Sequence, residues 1–124
     1  MNEKTPQRGE IWMINFSTGK GSEQRSNRPA LIIQNNVGNV YAGTTIIAAI
    51  TSRIKKYPVT VLLAAGTAHL PKDSMVNCSQ LFTIDKKRLI KRMGFLETVE
   101  MQRVNRAITI SLSHSDNPGY KDIR

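Results

Sequence analysis

Short β-type segments follow one another along most of this chain, and the connections between them show no helical pattern. The segments are rich in β-branched and apolar residues and are separated by turn residues; they are Glu10–Phe16, Ala30–Asn35, Thr44–Thr51, Val59–Leu63, Met75–Cys78 and Gln80–Ile84. One more strand can follow the basic turn Lys86-Lys87-Arg88. Because parallel neighbours need a crossover, usually a helix, this spacing predicts an antiparallel sheet.

Only one segment has the periodicity of an amphipathic helix. Between Glu97 and Ser113, apolar or small residues recur three and four positions apart, at Met101, Val104, Ala107, Ile108, Ser111 and Leu112. Thr98 is the expected N-cap. The helix would cover the open side of the sheet. The predicted fold class is therefore mainly β (α+β): a small antiparallel β-barrel or strongly bent sheet with a C-terminal α-helix.

The length of 124 residues suits a single domain over residues 1–124. Within it, residues 1–8 are expected to form a loose N-terminal lead-in and residues 114–124 a polar tail. Ser17 to Asn27 is polar or glycine throughout, and a loop of this length is typical of a functional segment. No apolar run approaches the roughly 20 residues that span a bilayer, and no secretory signal is evident, which indicates a cytoplasmic protein without a membrane partner.

The charge balance favours an anionic partner. Eighteen Lys and Arg against nine Asp and Glu leave a formal charge of +9, which attracts polyanions such as nucleic acid, although a basic surface can also serve solubility alone. Cys78 is the single cysteine, so it has no disulfide partner in the chain, and we expect it to be buried. The sequence has only two histidines, His69 and His114, which with one cysteine are too few for a zinc site. We therefore expect chemistry without a metal or cofactor.

Two common enzyme classes lack their signatures. Gly19-Lys20-Gly21-Ser22 does not have the full spacing of a phosphate-binding Walker A loop, and a polar loop follows it instead of a helix. Neither histidine accompanies a serine in a nucleophile-elbow setting, so a Ser-His hydrolase has no support. Aromatic residues make up only 6% of the chain, and we expect Trp12 and Phe16 in the core rather than on a base-stacking surface.

A specific resemblance covers the chain from about Arg8 to Leu112. Gly21-Ser22-Glu23-Gln24, followed three residues later by Arg28-Pro29 and the apolar strand to Asn35, resembles the MazF/PemK (Kid-like) family of toxin endoribonucleases from type II toxin–antitoxin systems. The similarity continues through Ile47–Thr51, Asp73–Val76 with Gln80, and Thr83–Leu89.

The resemblance implies an SH3-like β-barrel with a C-terminal helix that acts as a homodimer. It implies sequence-specific, metal-independent cleavage of single-stranded messenger RNA, by attack of the ribose 2′-hydroxyl, to a 2′,3′-cyclic phosphate (or 3′-phosphate) and a 5′-hydroxyl. It also implies a cognate acidic antitoxin that covers the RNA groove. The alternative is a non-catalytic toxin or binding module of the same fold that inhibits a protein such as DNA gyrase; a plain basic RNA-binding barrel is a third possibility.

The resemblance also assigns candidate site residues. Arg28 would face the scissile phosphate with its forked guanidinium, and Thr51 would hold the same phosphate by its hydroxyl. Glu23 is the third catalytic candidate: it could accept the 2′-hydroxyl proton, or instead bind a base edge or orient Arg28. The expected RNA contacts are Ser22, Arg25, Ser52, Lys56, Ser74 and Gln80. The basic cluster from Lys86 to Arg92 could be a solvated face or a contact for RNA or antitoxin, and neither the cleavage sequence nor the antitoxin follows from the motifs.

Overall fold

Six strands form one antiparallel sheet in the computed structural model, which describes residues 5–17 and 27–113. The elements along the chain are β1 (Glu10–Asn15), β2 (Asn27–Ile32), α1 (Asn36–Tyr41), β3 (Thr44–Thr51), β4 (Thr60–Leu63), β5 (Ser74–Asp85), β6 (Leu89–Phe95) and α2 (Thr98–Leu112). The strand order is β4-β5-β3-β2-β1-β6. No ladder joins β4 to β6 within the described residues, so the sheet is barrel-like but open. The predicted mainly β fold with a C-terminal helix is confirmed.

The two faces of the sheet carry separate apolar clusters, because side chains alternate between faces along each strand. On one face, Ile11, Leu31 and Val76 pack with Val104 and Ala107 of α2. On the other face lie Trp12, Ile14, Ala30, Ile32, Ile47, Ile84 and Leu89, with Phe16 partly buried against them. Each fully buried Leu or Ile contributes about 1.5–3 kcal/mol. The helix packs against the first cluster, and the site described below draws on residues of both clusters.

The segment around Arg28 differs from the sequence-based expectation. The strand was expected at Ala30–Asn35, but β2 spans Asn27–Ile32, so Arg28 and Pro29 belong to the sheet. The expected turn at 36–39 is instead the short helix α1, with Asn35 as N-cap. Asn and Gly have low helix propensity. Tertiary hydrogen bonds outweigh that preference: buried Asn39 accepts from the Thr45 hydroxyl at 2.7 Å and donates to Gln34 O at 2.9 Å.

The long strand β5 replaces the two strands predicted at Met75–Cys78 and Gln80–Ile84. Its register against β3 shifts between the pairs Ala48↔Leu81 and Ala49↔Asn77, which leaves residues 78–80 unpaired with β3 as a three-residue bulge. Asn77 and Phe82 are five residues apart and would lie on opposite faces of a regular strand. Because of the bulge, Asn77 pairs with Ala49 and Phe82 pairs with Ile47. Both side chains therefore lie on the same face of the sheet.

The chain ends are partly outside the described residues. The lead-in is not loose at its end: Arg8 donates from Nε to Ile33 O at 2.8 Å and from Nη2 to Asn105 Oδ1 at 2.8 Å. Residues 1–4 and the tail 114–124 are outside the described ranges, and the single-domain assignment stays a prediction. Between residues 5 and 113, as described, no helix has the length and apolar character needed to cross a bilayer.

Candidate functional site

The register of β2 against β3 brings the first two candidate residues together. Ala30 pairs with Ala49 and Leu31 with Ala48, so the same register carried two residues further sets Arg28 opposite Thr51 on one face of the sheet. The ladder stops before that point, where Pro29 has no N–H to donate. The β2–β3 pairing thus ends two residues short of this position and leaves Arg28, which is exposed, and Thr51, which is half-buried, beyond the paired segment.

Two clefts meet at this pair of residues. The first has a volume of about 440 Å³ and the second about 350 Å³. Both are lined by Arg28, Pro29, Ile50 and Thr51, which form the ridge between them. The ridge is therefore a polar position that both clefts share.

The polar groups on the ridge are available for a ligand. Arg28 is exposed, and its guanidinium makes no hydrogen bond or ion pair with any residue in the described ranges. The Thr51 hydroxyl accepts a hydrogen bond from Arg53 N at 3.1 Å. A hydroxyl can accept and donate at once, so its proton is still free to bind a phosphate oxygen. The ridge therefore offers a fork of N–H donors and one O–H donor, a set that suits an anionic group.

The second cleft contains two of the expected RNA contacts, Ser52 and Ser74, with Lys72 beside them. Ser74 is only 5% exposed and its hydroxyl donates to Lys72 O at 2.9 Å. Its side chain therefore shapes the cleft wall and holds the backbone that carries Lys72. Ser52 and Lys72 are exposed. Lys72 was not singled out from the sequence, because nothing local relates the 70–74 segment to the end of β3.

The first cleft contains Gln80 together with residues that are not among the expected RNA contacts. These are Asn77, Phe82 and Arg53, with Phe16 at the edge of the second apolar cluster. Trp12 is buried as expected, but Phe16 both packs on the core and reaches the cleft, where its ring meets Phe82 edge to face. The three-residue bulge in β5 brings Asn77, Gln80 and Phe82 into the same cleft. No local sequence pattern predicts the length of that bulge.

The other predicted contacts are not placed at the clefts. Lys56 follows β3 and is exposed. It is not among the described residues that line the two clefts. Ser22, Glu23 and Arg25 lie outside the described residues, so their assignments stay predictions from the resemblance.

The basic cluster from Lys86 to Arg92 is partly used within the chain. Lys86 donates to Asn39 O, and Arg88 donates to Asn15 O at 3.0 Å and Ser17 O at 2.6 Å. Arg92 pairs with Glu10 at 2.7 Å. These three cations hold neighbouring segments of the fold, including the backbone on both sides of Phe16, which leaves Lys87 and Lys91 as the exposed lysines of the cluster.

Cys78 takes no part in the site. It is fully buried in the cluster beneath α2, and burial raises the pKa of its thiol to about 11. A thiol in that state is neutral at physiological pH and is not a nucleophile. In the part of the chain that the structure describes, no three His, Cys, Asp or Glu side chains are grouped to hold a metal ion.

Known proteins are similar to this chain in both sequence and fold. Residues 7–112 match the family described as the PemK-like, MazF-like toxin of type II toxin–antitoxin systems. The chain is 43% identical over 107 residues to an endoribonuclease MazF from Staphylococcus saprophyticus, a match that covers 85% of this chain and 89% of that protein.

Solved structures show the same architecture. A mycobacterial endoribonuclease in complex with its cognate antitoxin is 22% identical with a TM-score of 0.73, covering 86% of this chain and 94% of that one. MazF from Deinococcus radiodurans is 26% identical with a TM-score of 0.68, covering 85% and 94%. Because the family match extends over most of the sequence and the fold agrees, this chain belongs to the PemK-like, MazF-like toxin family of type II toxin–antitoxin systems.

Proposed function

We propose that this member of the toxin family is an endoribonuclease that cleaves single-stranded messenger RNA in the cytoplasm, at a short sequence and without a metal or cofactor. The observation that carries the proposal is the ridge where Arg28 and Thr51 line both clefts with polar groups free to bind a phosphate. The 43% identity to a protein named an endoribonuclease supports the same activity.

The substrate supplies the nucleophile in this reaction. The ribose 2′-hydroxyl loses its proton to a base as its oxygen attacks the adjacent phosphorus. The bond from phosphorus to O5′ breaks and O5′ takes a proton from water, so the products are a 2′,3′-cyclic phosphate and a 5′-hydroxyl. Water can then open the cyclic phosphate to a 3′-phosphate. The enzyme needs only to align the groups in line and to stabilise the negative charge on the phosphorane, which are positioning and electrostatic tasks.

Arg28 and Thr51 perform those electrostatic tasks in the proposal. The guanidinium binds two non-bridging oxygens at once, and the Thr51 hydroxyl donates to the same phosphate. A guanidinium holds its proton too tightly to be an efficient general acid. We therefore assign Arg28 to charge stabilisation. Glu23 is the candidate that accepts the 2′-hydroxyl proton, unless it binds a base edge or orients Arg28.

Further RNA contacts in the proposal come from both sides of the ridge. Gln80 lines the first cleft, and Ser52 and Ser74 line the second. Lys56, Ser22 and Arg25 add contacts to phosphates or bases beyond them. Single-stranded RNA exposes the base edges that such polar side chains can bind.

We also propose two protein partners. A cognate acidic antitoxin is expected from membership in a toxin–antitoxin family, and the mycobacterial structural neighbour was solved with its own antitoxin. The formal charge of +9 would attract an acidic inhibitor as it attracts RNA. A homodimer follows from the family resemblance.

The decisive experiment is cleavage of a long, defined RNA by the purified protein in EDTA, with the new 5′-hydroxyl ends mapped. We expect cuts at one short sequence. Arg28→Ala should lower kcat/KM by about 10²-fold or more, as loss of a group that stabilises the transition state does. Arg28→Lys should recover only part of it, since lysine keeps the charge but loses the fork.

Arg106→Ala is the matched control, because Arg106 lies on α2 beside β4, outside both clefts, and the substitution removes the same charge. Full activity of Arg28→Ala would remove Arg28 from the mechanism. RNA left intact by the wild-type protein, together with inhibition of gyrase supercoiling, would favour the non-catalytic alternative.

A further inference from the structure

The side chain of Asn77 is held in one orientation at the wall of the first cleft. Its Oδ1 lies 3.0 Å from Ser79 N and 2.6 Å from Ser79 Oγ. A backbone N–H can only donate, so the Asn77 atom facing it must be the oxygen. The amide nitrogen therefore points the other way, and it makes no hydrogen bond with the described residues. Because Asn77 lines the first cleft, its two N–H donors are open to a ligand bound there.

An aromatic surface lies in the same cleft. Phe82 is 44% exposed, and its ring meets Phe16 edge to face, with centroids 6.1 Å apart and planes at 73°. This contact orients the Phe82 ring while leaving much of the residue accessible. A flat, exposed ring beside a cation-lined ridge suits stacking by an unpaired base.

We propose that the first cleft is a base subsite that selects uracil or guanine next to the cut phosphate; this inference rests on the proposed function. The base stacks on Phe82, and its carbonyl, at the pyrimidine 4-position or the purine 6-position, accepts a hydrogen bond from Asn77 Nδ2. Cytosine and adenine carry an amino group at that position, so a donor would face a donor and both groups would be desolvated without a partner.

The proximity to Arg28 and Thr51, which line the same cleft, assigns the subsite to a nucleotide adjacent to the reacting phosphate. Gln80 shares the cleft, but its amide makes no hydrogen bond within the described residues and can turn to present either end. We therefore assign the discrimination to Asn77, whose amide cannot turn without losing both bonds from Ser79.

Exchanging the amide for a carboxylate provides the sharpest test. In Asn77→Asp, one oxygen still accepts from Ser79 and the other becomes an acceptor facing the base, so the preference should shift toward cytosine and adenine. The measurement uses RNA oligonucleotides with a single cut site that differ only in the nucleotides flanking the cut. We expect the kcat/KM ratios of uracil to cytosine and guanine to adenine to fall by roughly tenfold or more at one flanking position.

Asn15→Asp is the control, because it makes the same exchange on an asparagine whose Oδ1 also accepts a backbone hydrogen bond, from Ser17 N at 2.8 Å, but which lines neither cleft. It should affect cleavage of all the oligonucleotides similarly and leave the ratios near the wild-type values. Unchanged ratios in Asn77→Asp, with overall cleavage retained, would overturn the proposal.

Stacking is tested separately with oligonucleotides that carry a 2′-deoxyribose at the cut and cannot react. Phe82→Leu should weaken their binding by roughly tenfold for every base, whereas Phe82→Tyr, which keeps the ring, should not. Binding by Phe82→Leu at wild-type strength would exclude a stacked base. If RNA is never cut but Asn77→Asp still inverts the base preference in binding, the cleavage proposal fails and the base subsite stands. If RNA is cut with no base preference, the cleavage proposal stands and the base subsite fails.

Discussion

At the scale of single residues, Cys78 shows how burial controls chemistry. Its thiol has a pKa of about 11 because burial disfavours the thiolate, against an ordinary value of 9.0. The folded protein therefore binds more protons than the unfolded chain between those two values. The stabilisation is fully present below pH 9 and is lost as the pH rises through about 11.

We expect the contribution of Cys78 to the free energy of unfolding to fall by about 2 kcal/mol over that range, at roughly 1.36 kcal/mol per pKa unit. Denaturant titrations of wild-type and Cys78→Ala proteins at pH 8 to 11 measure it as the difference between the two pH profiles. Parallel pH profiles would contradict a neutral, buried thiol, as would rapid alkylation of the native protein at neutral pH.

At the scale of elements, the start of α2 differs from its sequence-based assignment. The expected N-cap was Thr98, but the cap is Glu97, whose N–H donates to the Glu100 carboxylate at 2.8 Å. The carboxylate satisfies a backbone donor that the helix itself leaves unpaired. Ser and Thr are the common residues in this arrangement, which is why Thr98 was the natural choice from the sequence.

Glu100→Ala should therefore lower the free energy of unfolding by about 1 kcal/mol, the typical value of a helix-capping interaction. Glu100→Gln retains an oxygen acceptor and should lose less than half of that. Chemical denaturation of both variants checks the prediction, with Gln102→Ala as an exposed control on the same helix. Equal stability of Glu100→Ala and the wild type would show that the cap contributes nothing.

At the scale of the whole molecule, two sets of cations are expected to have different electrostatic roles. Arg28, Arg53 and Lys72 line the two clefts, while Arg103 and Arg106 are on α2 and line neither cleft. If RNA runs across the clefts, its phosphates displace counterions only from the first set.

The dependence of RNA affinity on salt should separate these two sets of cations. Each neutralised phosphate of a single strand contributes about 0.7 to the slope of log K against log salt concentration. Arg53→Ala should reduce the magnitude of the slope by about that amount, and Arg103→Ala should leave it unchanged. Binding titrations with an unreactive 2′-deoxy oligonucleotide at several salt concentrations provide the slopes. A larger effect of Arg103→Ala than of Arg53→Ala would place the RNA on the helical side.

What the sequence determined by itself was local or motif-borne. Alternating and β-branched segments predicted most of the strands, the three-to-four periodicity predicted α2 within one residue at each end, and the Arg28-Pro29 and Ile47–Thr51 motifs pointed to the family. These features need only neighbouring residues, because strand and helix preferences arise from local sterics and the burial pattern of one element.

Only the tertiary structure decided which side chains share a cleft. Arg28 lies opposite Thr51 because of the register between β2 and β3. Asn77 lies in the same cleft as Phe82 because residues 78–80 form a bulge in β5. Register and bulges depend on pairing between segments far apart in the chain, and a one-residue shift would move every side chain to the opposite face. The sequence of a single strand does not specify its register with other strands, so which residues form the site is decided only when the sheet is assembled.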